Sequence, residues 1–181
     1  MEQIKVIFFL LGSIFAQENS RIASAITQIQ VDVVQKTIQI EQQHVFTASE
    51  STAAFDRTKA QLKDIIENTK LSEELKNFQL KSLVFSKEAD KLNATILLTY
   101  KSKEDLRAMG LFTTKEGELS HINIPDWKIS TKEGMLKEKY WYFPVDRPFT
   151  FTIDMNEKMN ASYKDKLQSL LPVWEKMKAE N

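Results

Sequence analysis

Between Leu92 and Tyr100 the chain alternates without a break. Leu92, Ala94, Ile96, Leu98 and Tyr100 share one phase; Asn93, Thr95, Leu97 and Thr99 share the other. A period of two over this length reads as a strand that buries one face. The charged run Lys87-Glu88-Ala89-Asp90-Lys91 separates it from Leu83-Val84-Phe85, so the two apolar runs form a hairpin. Ser102 then stands three residues before Asp105, an arrangement that caps a helix, and Gly110 supplies the left-handed residue that ends it. A strand hairpin followed at once by a capped helix favours an α+β chain over a parallel α/β one.

The rest of the chain repeats this grammar. Ile29, Val31 and Val33 alternate in one phase and Ile38, Ile40 and Phe46 in the other, with the slip at Gln35-Lys36-Thr37. That pattern predicts strands near 27–34 and 37–47 joined by a tight turn. Ser49, Ser51 and Thr52 offer N-caps to a helix carrying Phe55, Thr58, Leu62, Ile65 and Ile66 at helical spacing. Ser72 starts a shorter helical turn with Leu75 and Phe78. Beyond Gly110 the chain reads as strands and turns: 119–124 stopped by Pro125, 126–131, a strand over 135–143, and Phe149, Phe151 and Ile153 alternating with Thr150, Thr152 and Asp154. Tyr163, Leu167, Leu170, Leu171, Trp174 and Met177 fall on one side of a final amphipathic helix. Pro172 costs about 3 kcal/mol inside a helix, so that helix should kink or break at Leu171.

The expected fold is therefore α+β, an antiparallel sheet of about six to eight strands with helices packed on one face and a long C-terminal helix. The order of elements is similar to helix-grip folds. That likeness implies a last helix lying across a curved sheet above an apolar cavity.

The N-terminus predicts where the protein works. Lys5 precedes the apolar stretch Val6–Leu11 with Ile14 and Phe15, and the small residue Ala16 suits the position before a cut. This apolar stretch has the length of a signal-peptide core and is too short for a membrane span. Phe15-Ala16-Gln17 resembles export signals of the Bacteroidota, in which Gln often follows the cut. The reading is a signal peptide over 1–16 and a single α+β domain over 17–181, exported to the periplasm or secreted. No later apolar run is long enough for stable membrane insertion. The chain has no cysteine, so an exported form is held together by its core alone.

Charge narrows the partners. The 25 basic and 25 acidic residues cancel, and only four of the basic ones are arginine. Nucleic-acid binding takes most of its affinity from excess cations along the phosphates, so no nucleic acid is expected. Four glycines leave no phosphate-cradling loop.

Catalytic signatures are sparse. There is no cysteine nucleophile, no Gly-x-Ser-x-Gly elbow and no His-Glu-x-x-His. The two histidines, His44 and His121, lie in probable strands with no third ligand spaced near either, so no metal and no cofactor is expected. Asp126, beside Trp127, is the carboxylate best placed for acid–base work, although Pro125-Asp126 is also ordinary turn chemistry. The densest feature is Tyr140-Trp141-Tyr142-Phe143, where Tyr140 and Tyr142 share one face and Trp141 and Phe143 the other. Exposed Tyr or Trp on a sheet can stack on a sugar or grip a partner. The candidate binding residues are therefore Tyr140, Tyr142, Trp127 and Asp126.

Three functions fit these features. The first is a non-catalytic exported binding or accessory module whose partner is a protein or glycan. The second is a carrier of a small apolar ligand in a cavity between the sheet and the C-terminal helix. The third is a carboxylate-based hydrolase, which needs two acids converging in one cleft.

Overall fold

A computed structural model describes residues 11–17, 20–48, 51–124, 128–154 and 166–180. The chain is α+β, built on two antiparallel sheets. A short buried helical turn comes first, α1 (Leu11–Ile14), followed by the long hairpin β1 (Ile22–Asp32) and β2 (Thr37–Ala48). Asp32 shapes its turn: Oδ1 accepts from the N–H groups of Val34 at 2.9 Å and Gln35 at 2.8 Å, and Lys36 closes it at φ 54°. This is the polar triplet at which the hydrophobic phase slips.

Helix α2 (Thr52–Asn68) starts on Ser51, whose side chain accepts from the Ala54 N–H, and ends on Thr69 in the left-handed region at φ 44°. A single 3₁₀ turn, Glu73–Leu75, leads into β3 (Gln79–Glu88) and β4 (Lys91–Thr99). The segment after it is helical at Lys103–Met109, but as 3₁₀ rather than α, and Gly110 ends it at φ 66°.

Six strands follow among the described residues up to 154: β5 (Leu111–Thr113), β6 (Leu119–Ile122), β7 (Lys128–Thr131), β8 (Met135–Lys137), β9 (Tyr140–Phe143) and β10 (Phe149–Asp154). The run expected as one strand over 135–143 is a hairpin instead. Glu138 at φ 53° turns it, and Leu136 pairs with Trp141.

The C-terminal segment breaks at Leu171, as Pro172 predicts, but what precedes the break is strand and not helix. Leu167–Ser169 forms a short strand, β11, on β2, and the helix α3 runs from Leu171 to Glu180. Pro172 explains this: a proline fits the first turn of a helix, where its missing N–H has no partner to lose. The chain breaks at Leu171, so Leu167 packs as a strand residue. Tyr163 lies outside the described residues.

The larger sheet has the order β3-β4-β2-β1-β10-β7, with β11 beside β2. One face of it is the core. Val31, Ile38 and Leu98 form one row across three strands, and Ile29, Ile40 and Ile96 the next. Phe149 pairs with Val31 and Phe151 with Ile29. Gln28, Gln30, Gln39 and Glu41 occupy the alternate positions and leave the other face largely polar. Helices and the smaller sheet, of order β5-β6-β9-β8, share the cover of the core face. At the second site of cover, Phe143 stacks on Phe149 with ring centroids 4.5 Å apart and lies 5.3 Å from Phe151. A fully buried side chain of this size contributes roughly 1.5–3 kcal/mol.

The β1–β2 hairpin breaks its alternation once more, at a place the pattern did not mark. His44 adopts φ 57°, and its N–H donates to the Asn93 side chain on β4, Oδ1 at 3.0 Å, rather than to a backbone carbonyl. On β1, the Ser24 and Thr27 hydroxyls meet at 2.8 Å, although residues three apart in a regular strand point to opposite faces. The kink turns Ala23, Ala25 and Phe46 away from the main core into a small second cluster with Leu167. Just before the kink, Gln42 follows Ile38 and Ile40 in phase and is fully buried on the core face.

Candidate functional site

Three places in this fold merit comparison as sites. The first is the β8–β9 hairpin at the open edge of the smaller sheet. Phe143 is buried, and Trp141 is half-buried against the main core with its Nε1–H on Asn123 Oδ1 at 3.2 Å. Tyr140 and Tyr142 lie on the opposite face, as the alternation predicts. Tyr140 is exposed and Tyr142 half-buried, with Lys137 Nζ 5.3 Å from the Tyr142 ring centroid. Met135 pairs with Tyr142 and is 61% exposed, the highest value of any large apolar side chain on either sheet here. Asp126 and Trp127 lie outside the described residues.

The second place is a cleft of about 650 Å³ between α2 and α3. Its floor is Phe55, Ile66, Val173 and Met177, and its rim carries Lys59, Lys63 and Lys176. The core stripe of α2 is Ala54, Thr58, Leu62 and Ile65. Phe55 and Ile66, expected on that stripe, sit at its border and turn toward α3. Each rim lysine has a carboxylate one helical turn away on its own helix. Lys59 reaches Asp56 at 2.9 Å, Lys63 reaches Glu67 at 3.6 Å, and Lys176 reaches Glu180 at 3.9 Å. Such exposed pairs contribute little to stability. Lys59 Nζ also lies 4.8 Å above the Phe55 ring. The apolar space thus lies between two helices, because α3 packs beside α2 and β4 with Leu171 as its one buried residue.

The third place is internal. α1 packs against β1 and α2, and Leu11, Ile14 and Phe15 are all buried in the main core. The Ile14 carbonyl accepts from the Ser72 N–H at 2.9 Å. The Ser72 hydroxyl beside it is buried with no partner among the described residues. Ala16, next in the chain, is exposed at φ 56°, and the Gln17 side-chain amide donates to Asp64 on α2. The apolar stretch that reads as a leader therefore ends inside the folded core.

The histidines stay apart, His44 on β2 of the larger sheet and His121 on β6 of the smaller one. His121 is buried 5.5 Å from the Phe151 ring, and its Nδ1 has no partner among the described residues. Burial holds its pKa below the ordinary value, opposed by a backbone hydrogen bond at Ile122. His44 is also lowered, by burial and then by Lys91, with Asp90 opposing. Among the described residues no three His, Asp or Glu side chains converge as a metal site, and no helix is long and apolar enough to cross a membrane.

The α2–α3 cleft was not legible as a site because its two walls lie more than a hundred residues apart. Its only local signal is Phe55 and Ile66 standing at the margin of the α2 stripe. No family model, curated protein or solved structure matches the chain.

Proposed function

We propose that this chain is an exported, non-catalytic binding module and that the α2–α3 cleft holds a small ligand with an apolar body. One observation carries the reading: an open cleft of about 650 Å³ floored by Phe55, Ile66, Val173 and Met177. Ligand pockets typically enclose about 300–1,000 Å³, with mostly apolar walls and a few polar groups at the edge. The leader-like N-terminus supports the export half of the reading. The uncharged probe N-phenyl-1-naphthylamine tests the cleft. In the full chain its fluorescence should saturate at one site, and Val173→Asp or Ile66→Asp should abolish that site while far-UV circular dichroism shows the fold retained. Unchanged titration in both variants sinks the assignment.

A second reading rests on the β8–β9 hairpin, where Met135 and Tyr140 are exposed on the face they share with Tyr142. A face of this kind suits a protein or glycan partner. There, Tyr140→Ala should remove binding to a glycan array while probe uptake in the cleft is untouched.

A further inference from the structure

Residues 11–15 read as the end of a leader, yet they fill part of the core. We propose that hydrolysis of the Ala16–Gln17 peptide bond by a host signal peptidase, water giving the Ala16 carboxylate and the Gln17 amine, leaves open a second, buried site between β1, α2 and the Ser72 turn, and that this site takes a fatty acid. The proposal rests on the export half of the reading above and is independent of the α2–α3 cleft.

The segment itself defines the ligand chemistry. It presents aliphatic and aromatic side chains, Leu11, Ile14 and Phe15, to an apolar core that includes Leu62, Ile65 and Leu75. Its backbone meets the Ser72 turn through a carbonyl oxygen, that of Ile14, on the Ser72 N–H. Withdrawing the segment strips three large side chains from the core and frees that N–H. The Ser72 hydroxyl, already buried and without a partner among the described residues, then stands beside it as a second donor. An apolar space with two adjacent donors on its wall matches an acyl chain ending in a carboxylate, whose two oxygens replace the Ile14 carbonyl. Leaving both donors bare costs free energy, as does the empty volume, so the cut form gains from any ligand that fills both needs.

The cut precedes docking of the segment: once folded, Ile14 and Phe15 are buried and only Ala16 is exposed, so a peptidase reaches the bond before they pack, and Gln17 is then tied to Asp64 on α2. The new terminus is therefore anchored beside the opening.

The test compares two forms of the chain. One is the full chain, made without export. The other is the form recovered from the exported fraction of an expressing bacterium, its first residue read by N-terminal sequencing. The probe is 11-(dansylamino)undecanoic acid, displaced by laurate. The exported form should start at Gln17 and bind the probe at least about ten-fold more tightly than the full chain. Ser72→Ala in the exported form should weaken binding by about ten-fold, in the range of a hydrogen bond to a charged group. In the full chain, Leu11→Ala with Phe15→Ala should carve part of the same site and confer probe binding without any cut. An exported form that is folded and binds no better than the full chain overturns the proposal. So does one that melts identically with and without saturating laurate. Recovery of intact Met1 overturns the export reading as well, and sequencing alone reveals it. Loss of the cleft through Val173→Asp leaves the difference between the two forms unchanged.

Discussion

Asp105 ties down the chain before it in two places. Its Oδ2 accepts from the Ser102 N–H at 2.8 Å and from the Lys101 N–H at 3.0 Å, and its Oδ1 takes the Asn77 amide at 3.0 Å. Asp105→Ala should therefore destabilise by roughly 0.5–2 kcal/mol. Ser102→Ala should cost less, since the Ser102 backbone donor survives. Burial alone would raise the Asp105 pKa, but hydrogen bonds from Ser102, Lys101 and Asn77 outweigh it and hold the carboxyl low. The sign follows: this stability is present above the unfolded-state carboxyl pKa and is lost as pH falls through the lower folded value. Urea melts of both variants at neutral and acid pH check the ranking. Equal losses at Ser102 and Asp105 would remove the assignment.

His121 sets a second pH dependence. Folded, it is held neutral by burial; unfolded, it takes a proton near its ordinary value of 6.5. Protons therefore bind the unfolded chain preferentially below that value. Stability is complete above it and declines as pH falls toward the lowered folded pKa. His121→Phe should flatten much of this slope, and His44→Gln the remainder. Thermal melts between pH 7.5 and 5 read it directly. A slope unchanged in both variants would contradict the burial argument.

Gln42 is fully buried on the core face, and neither end of its amide has a hydrogen-bond partner among the described residues. An unsatisfied buried polar group costs about 1–3 kcal/mol. Gln42→Met keeps the shape and removes that burden, so it should raise the denaturation midpoint. A fall would show that the amide holds an ordered water.

The aromatic strand separates core from surface. Phe143 and Phe149 stack in the core, so Phe143→Ala should cost about 3–5 kcal/mol. Trp141 is only half-buried and should cost less. Tyr140→Ala should stay within about 0.5 kcal/mol, as expected for exposed positions. The measurement is a denaturant midpoint for each variant. A loss at Tyr140 exceeding that at Phe143 would reverse the facing.

Much of this fold was legible because alternation is a local property. Leu92–Tyr100, Phe149–Ile153 and the Tyr140/Trp141 division all face as their phase requires. The errors fall where geometry overrides period. Glu138 takes a left-handed conformation without glycine and folds one expected strand into two. Pro172 opens a helix that the apolar spacing carried back to Tyr163. The kink at His44 has no mark in the sequence, since its partner Asn93 is recruited from a strand 49 residues away. The cleft and the Ser72 donors are likewise products of packing between distant segments, which periodicity does not encode.

The tie from Ser72 to Ile14 spans fifty-eight residues, so it closes a long loop and cannot form until the chain has returned to Ile14. Until then Leu11, Ile14 and Phe15 remain free for anything else that recognises a short apolar run. If export machinery holds them first, it holds a form that has not completed its core, and binding to that form opposes folding by mass action. Folding and passage across the membrane then compete for the same three side chains. Speeding one necessarily slows the other: a variant that docks this segment faster should cross less well.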